Sequence, residues 1–338
     1  MKPEQILHAL NAIDEEFILE ARTEAAPRRR VRLSTVIAAL IALLAITACA
    51  AGELGGWLES FFTARSGSAL SSHQLGYLAQ YGQTVNESQT QNGYTVTLAS
   101  YIGTEDTVYV VFQITAPKRV DLTSDDSNIL MDAEFTGVYG RTPDSIVVRR
   151  MDDGDGKSNT IYYICILQHK EYLYYSVPEW NVQIHSLYRV LYNPETKQHT
   201  YPVLAEGPWD FTIDLTKSDT QTVELLTEPI QTLAIIPHLD SVEDTLESVT
   251  VTSVVLSPLD VMITYEPVNE GNASFTGFVG STGIELHAYA VMKDGSFVSL
   301  DYGHPSRHGQ AKLLADTPIL PDQVDYLLFA DGTRLMVP

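Results

Sequence analysis

The sequence predicts a mainly β protein: two tandem immunoglobulin-like β-sandwich domains outside a membrane, preceded by one transmembrane helix and a short cytoplasmic helix. Three observations carry that expectation. An uncharged run fills residues 33–52, apolar residues alternate with a period of two through much of the chain from residue 94 onward, and a helical apolar stripe is confined to the first 21 residues apart from a short candidate helix at 70–81.

The first element is residues 1–32. In KPEQILHALNAIDEEFILEARTEA, Ile6, Leu10, Ile13, Phe17 and Ala21 recur at spacings of four, three, four and four, which places one apolar stripe on a helix. A lone helix of about twenty residues is marginal in water. The stripe therefore calls for a partner, and Ile6, Leu10, Ile13 and Phe17 are the candidate partner-binding residues. The alternative is a disordered segment or a helix on a membrane surface, although its acidic face does not suit an anionic one.

The second element is residues 33–52. Twenty uncharged residues at about 1.5 Å of helical rise reach about 30 Å, the hydrocarbon thickness of a bilayer. Arg28, Arg29, Arg30 and Arg32 crowd the N-terminal flank, while Glu53 opens the other and no basic residue follows before Arg65. The positive-inside bias keeps the N-terminus cytoplasmic and sets the rest of the chain extracytoplasmic, a single-pass arrangement in the cell membrane. Thirty-two residues with six acids precede the run, which is unlike the short basic n-region of a secretory signal. Ile46-Thr47-Ala48-Cys49 still fits the pattern before a lipidated cysteine, and Ala48-Cys49-Ala50 that of a cleavage site, so both alternatives to an uncleaved anchor stay open.

Residues 53–75 form a juxtamembrane segment in which Trp57, Phe61 and Phe62 suit the outer bilayer interface. The length beyond it exceeds one ordinary core, so two domains are expected, 76–217 and 218–338, with the seam in LTKSDTQTVE. In the first, Val108, Val110, Phe112 and Ile114 share a strand face, as do Trp209, Phe211, Ile213 and Leu215, and Asn92-Gly93 marks a turn. In the second, Ile284, Leu286, Ala288, Ala290 and Met292 alternate before Asp294-Gly295, and Asp331-Gly332 is a further hairpin signal. A faint internal echo links YTVTLASYIGTEDTVYVVFQI with SVTVTSVVLSPLDVMITYEP, each reading strand, short turn, strand.

Charge narrows the partners. Residues 1–32 carry six basic and six acidic side chains, so the net charge of −22 belongs to the remainder, which repels nucleic acid and anionic lipid. Only Cys49 and Cys165 are present, so no disulfide forms within the outer domains, and Cys165 in IYYICILQ reads as a packed core thiol.

Chemistry is sparse. MDDGDGKSN offers Asp152, Asp153 and Asp155, but Lys157 stands at the next alternating position and no late acid follows, so a solvated hairpin loop fits better than a calcium loop. His304 and His308 in GHPSRHG lie four apart in what reads as a loop without a third ligand. GFVGSTG lacks the Lys-Ser/Thr ending of a phosphate loop, and no nucleophile elbow is present. No catalytic, metal or cofactor-binding residue is assigned, and the chain is not expected to be an enzyme. HKEYLYYSVPEW supplies Tyr172, Tyr174, Tyr175 and Trp180 as candidate glycan contacts, against the ordinary reading of strand aromatics as core.

ALNAIDEEFILEA, the arginine cluster, one apolar span and a β-rich outer region together resemble a family of single-pass proteins of Gram-positive bacteria. Their outer region is catalogued as a domain of unknown function, and they are often grouped with anti-sigma-factor-like regulators of extracytoplasmic-function sigma factors. YLAQYGQTVNESQTQNGYTVTLASYIGTEDTVYVVFQI resembles the start of that region, and VTSVVLSPLDVMITYE with VMKDGSFVSL is similar to the β-domain that often follows. The resemblance implies a sensor of an envelope ligand or state, coupled to a cytoplasmic segment that binds a sigma factor. This chain departs from better-understood anti-sigma factors in its very short cytoplasmic part, which has no Cys and His zinc pattern. The alternative class is a cell-surface binding or adhesion module that recognises cell-wall glycan or protein.

Overall fold

The computed structural model describes residues 56–338, except 105–106, 124–127, 138–139, 141, 144, 152–157, 169–177, 217–221, 226–227, 237–244, 267–285, 306–309 and 338. The helical stripe of Ile6, Leu10, Ile13 and Phe17, the arginines at 28, 29, 30 and 32, and the apolar run 33–52 lie outside the described residues. No helix among the described residues is long and apolar enough to cross a membrane.

The chain enters through two helices, α1 (56–66) and α2 (Ser72–Tyr81). Nine strands follow: β1 (Gln83–Gln91), β2 (Tyr94–Gly103), β3 (Thr107–Thr115), β4 (Asn128–Gly137), β5 (Ser145–Met151), β6 (Thr160–Gln168), β7 (Glu179–Asn193), β8 (Gln198–Thr200) and β9 (Val203–Asp214). Asn92 and Gly93 both take left-handed φ, 51° and 80°, as a two-residue hairpin between β1 and β2 requires. One antiparallel sheet runs β1-β2-β3-β6-β5, and a second runs β4-β7-β8 with β9 also on β7. The sheets share a core in which Val108, Val110, Phe112 and Ile114 meet Trp209, Phe211, Ile213 and Leu215, so both alternations expected from the sequence face inward. The Tyr101 hydroxyl donates to the Asp214 carbonyl at 2.7 Å and ties one sheet to the other. β3 and β6 are buried on both faces, because their other sides carry Tyr109, Val111, Ile164 and Ile166 into a further core beneath the helices.

The remaining strands are β10 (Val223–Glu224), β11 (Ile230–Ile236), β12 (Thr245–Leu256), β13 (Asp260–Glu266), β14 (Ala288–Met292), β15 (Phe297–Pro305), β16 (Gln310–Ala315), β17 (Val324–Phe329) and β18 (Arg334–Met336). They hydrogen-bond as one nine-stranded sheet, β10-β12-β13-β16-β15-β14-β17-β18 with β11 on β12, where a pair of facing sheets was expected. The sheet curls, and its ends meet. Leu233 N–H donates to the Asp331 carboxylate at 3.0 Å, and the Thr333 hydroxyl to the Gln231 carbonyl at 3.4 Å. Curling lets one face close on itself around Leu286, Ala288, Ala290 and Met292, which belong to a single core of their own. Gly295 and Gly332 take the positive φ that their turns need.

The faint sequence echo is a structural repeat. β2 and β3 join through a turn in which Thr104 N–H donates to the Thr107 carbonyl, and β12 and β13 join through one in which Ser257 N–H donates to the Asp260 carbonyl. In each, the first residue's hydroxyl also accepts from the backbone N–H of the fourth. Each first strand carries a bulge, Leu98–Ser100 and Val251–Ser253, at the same offset of 153 positions as the turns (104 to 257, 107 to 260). Pairing continues in parallel: β3 with β6 as β13 with β16, β6 with β5 as β16 with β15, and β7 with β4 as β17 with β14. The second unit differs in also pairing β14 with β15, which turns two sheets into one.

Candidate functional site

The segment WLESFFTARS explains why α1 sits where it does. Trp57, Leu58, Phe61, Phe62 and Arg65 recur at helical spacing, so one face is aromatic and carries a cation at its end. Trp57 stacks on Tyr162 with ring centroids 3.6 Å apart, and Phe61 and Phe62 pack on Tyr109 at 5.7 and 5.3 Å. Phe62 is fully buried and Leu58 nearly so. These aromatics belong to the protein core, which corrects their expected place at a bilayer interface: the outer face of the first sheet is apolar and takes them up. The helix ends at Gly67, whose φ of 69° and N–H bond to the Thr63 carbonyl close the last turn.

α2 starts at a capping box. Ser71 accepts from the Gln74 N–H while the Gln74 carboxamide oxygen accepts from the Ser71 N–H. The Gln74 amide nitrogen reaches further, donating to the Thr317 hydroxyl at 2.8 Å and the Pro318 carbonyl at 2.9 Å. From α1, Arg65 Nε donates to Asp316 at 2.8 Å, with the two side chains only 7% and 13% exposed. Leu259 and Leu314 of the second unit complete the same apolar cluster as Leu58, Phe62 and Tyr109. The helices, packed on the first sheet, thus hold the second unit at 316–318 through an ion pair, two hydrogen bonds from the Gln74 amide and shared apolar contacts.

Further polar groups are buried beside these contacts. Asp260 is 3% exposed and takes the Ser257 hydroxyl on Oδ1 at 2.7 Å. Its Oδ2 and the Tyr109 hydroxyl are buried without a hydrogen-bond partner within the protein. Burial drives the Tyr109 phenol well above its ordinary range; Arg65 opposes this, and Asp260 and Asp316 reinforce it. The charges of Arg65, Asp260 and Asp316 thus all act on the buried Tyr109 phenol against which α1 packs. What such a group does physically is hold a register: displacing Arg65 leaves Asp316 charged and nearly buried.

Elsewhere buried polar groups serve packing. The Tyr163 hydroxyl donates to the Ile129 carbonyl at 2.6 Å, and burial pushes its pKa up to about 12. Cys165 is fully buried on β6, and burial pushes its thiol far above the usual range, so it is held as a neutral core group, as its sequence context implies. Trp180 is 1% exposed in the core between the first two sheets, which corrects its reading as a glycan contact: its place on β7 points the indole inward. Tyr172, Tyr174, Tyr175, Asp152, Asp153, Asp155, His308 and the glycines of GFVGSTG lie outside the described residues. His304 is on β15, paired opposite Lys312, rather than in a loop. No group of three or more His, Cys, Asp or Glu among the described residues is arranged to hold a metal ion.

Two exposed surfaces were not singled out by sequence reasoning. One is the β7–β8 hairpin, where Tyr192, 55% exposed, lies 5.0 Å from His199 and His199 lies 6.5 Å from Tyr201. The signal was present in LYNPETKQHTYP, aromatic residues on both sides of an Asn-Pro turn. The other is the outer face of the second unit around Phe297, the most exposed of the large apolar side chains among the described residues.

Comparison with known proteins places residues 27–116 in a match to the family described as "Domain of unknown function (DUF4179)". The match runs from the arginine cluster through both helices to the end of the β2–β3 hairpin. No curated protein matches the chain. Among solved structures, "The crystal structure of the conserved domain protein from Bacillus anthracis" is similar with a TM-score of 0.46 at 12% identity, covering 73% of this chain and 75% of that one.

Proposed function

We propose that the chain is a membrane-anchored regulatory or sensor protein. Residues 33–52 cross the cell membrane once, 1–32 lie in the cytoplasm and bind a sigma factor or a similar regulator through Ile6, Leu10, Ile13 and Phe17, and the β-rich region senses an envelope ligand or state outside. The first unit is read as an immunoglobulin-like sandwich on the strength of its two facing sheets.

One observation carries this reading above the others. α1 is already helical at residue 56, the first described residue, so at most residues 53–55 separate the apolar run from a helix whose side chains are core to the outer region. Four residue steps extend at most about 14 Å. A passive tether has no need to be buried in the domain that it carries. A helix packed on the first sheet and paired through Arg65 with Asp316 of the second unit instead transmits a change in either unit to the chain entering the membrane.

The test is affinity capture from native membranes with the full chain and with Leu10→Asp/Phe17→Asp. Recovery of a cytoplasmic regulator by the parent chain, lost in the variant while membrane insertion is unchanged, is the expected result. Equal recovery by both ends the proposal. A second reading, a surface module that binds cell-wall glycan, draws on the exposed rings of Tyr192, His199 and Tyr201. It requires binding to isolated cell wall that falls at least tenfold in Tyr192→Ser/Tyr201→Ser.

A further inference from the structure

On the outer face of the second unit, the strand register aligns one cross-strand row: Phe297 opposite Val291, Val291 opposite Tyr326, and Tyr326 opposite Met336. The next row adds Tyr289 opposite Leu328. Phe297 is 71% exposed and Met336 59%, and Tyr289 leans edge-on against Phe297 at 6.0 Å. Single exposed apolar residues are ordinary, but a continuous stripe across β15, β14, β17 and β18 marks a contact surface. The surface is built rather than incidental: the same strands bury Ala288, Ala290, Val298 and Leu327 on their inner side, so the alternation places apolar residues on both faces.

Its rim is acidic. Asp294 is fixed in the β14–β15 turn by bonds from the Ser296 N–H and hydroxyl, Asp322 stands in the 3-10 turn before β17, and Asp331 sits in the β17–β18 turn. The cations beside the stripe are Lys293, whose ammonium donates to the Asp322 carbonyl, and Arg334, whose guanidinium lies 4.8 Å over the Tyr326 ring. A second copy of this chain would bring the same acidic rim, and an anionic lipid surface would be repelled by a chain of net charge −22. Charge and apolarity together select one kind of occupant.

We propose that this face binds a cationic amphipathic peptide segment, its apolar side chains laid along Phe297, Val291, Tyr326 and Met336 and its Lys or Arg residues over Asp294, Asp322 and Asp331. The apolar row supplies affinity, and the acidic rim supplies steering and selects against acidic segments.

The probe is an 18-residue Leu/Lys amphipathic peptide, with a Leu/Glu and a Ser/Lys peptide of the same pattern beside it. Binding is measured to the full chain in phosphatidylcholine nanodiscs, with empty discs subtracted. The expected result is saturable binding of the Leu/Lys peptide alone, weakened at least tenfold in Phe297→Ser/Met336→Ser and at least fivefold in Asp294→Asn/Asp322→Asn. The substituted side chains are exposed, so the fold is retained, and unchanged circular dichroism checks that it is. Equal binding to the Phe297→Ser/Met336→Ser protein, equal binding of the Leu/Glu peptide, or no binding beyond empty discs overturns the proposal. None of these readouts involves residues 1–32, so its failure and the failure of the regulator reading are separate results.

Discussion

Arg65 shows how one side chain fixes the relation between two units. Its partner Asp316 lies 251 positions away, and both side chains are nearly buried, so neither is well solvated when the other is removed. Arg65→Ala should therefore cost about 3 kcal/mol in urea unfolding, the low end for breaking a buried pair. Asp316→Ala should cost a similar amount. The double variant should lose less than the sum, with a coupling energy of about 1–3 kcal/mol in the cycle. Additive losses would mean that the pair is a surface contact with no clasping role. Trp57, Phe61 and Phe62 mark the limit of residue-level reading. Directly after an uncharged run they suit a bilayer interface as well as a sheet face, and only the apolar outer side of β3 and β6 decides between the two.

At the scale of elements, α2 carries two glycines with opposite roles. Gly76 lies in the helix interior with open space where a Cβ would stand, so Gly76→Ala should stabilise by about 0.5–1 kcal/mol. Gly82 ends the helix with its N–H on the Leu78 carbonyl, and a Cβ there would lie 2.5 Å from that oxygen. Gly82→Ala should destabilise by about 1–3 kcal/mol, the range for overpacking, and thermal melts of the two variants check the opposite signs. Strands were the most legible elements. The alternation around Val108, around Trp209 and around Ala288 depends on nearest neighbours along the chain, and the three faces lie in the cores as expected. The Asn92-Gly93, Asp294-Gly295 and Asp331-Gly332 turns were legible for the same local reason. The candidate site was not, because Arg65 and Asp316, or Gln74 and Thr317, meet only through the packing of helices on a sheet. Trp180 could not be assigned to the core from its aromatic neighbours, since alternation in HKEYLYYSVPEW is broken and its direction is set by the register with β9.

At the scale of the whole molecule, the repeat explains why a clasp is needed. Each unit has its own core, one between the first two sheets and one inside the curled sheet, and two such cores would ordinarily unfold as separate transitions. The third cluster draws on α1, α2, the first sheet, Leu259 and Leu314 at once, so neither unit can open without exposing Phe62, Tyr109 and Arg65. Hydrogen exchange measured across a urea series should show the amides of β3 and β6 and those of β13 and β16 losing protection at a common midpoint in the full chain. In Arg65→Ala/Gln74→Ala the ion pair and both hydrogen bonds from the Gln74 amide are gone, while the cores of the two units are untouched. The second set should then exchange at a lower midpoint than the first, with the m-value of each transition smaller than the parent's, because less surface is exposed at each step. Two midpoints already present in the parent would show that the third cluster does not couple the units. A single midpoint in the variant would show that the apolar contacts of Leu259 and Leu314 suffice without the polar clasp. The signalling reading needs the common midpoint in the parent, since a change in the second unit reaches the entering helix only if the two units share one cooperative transition.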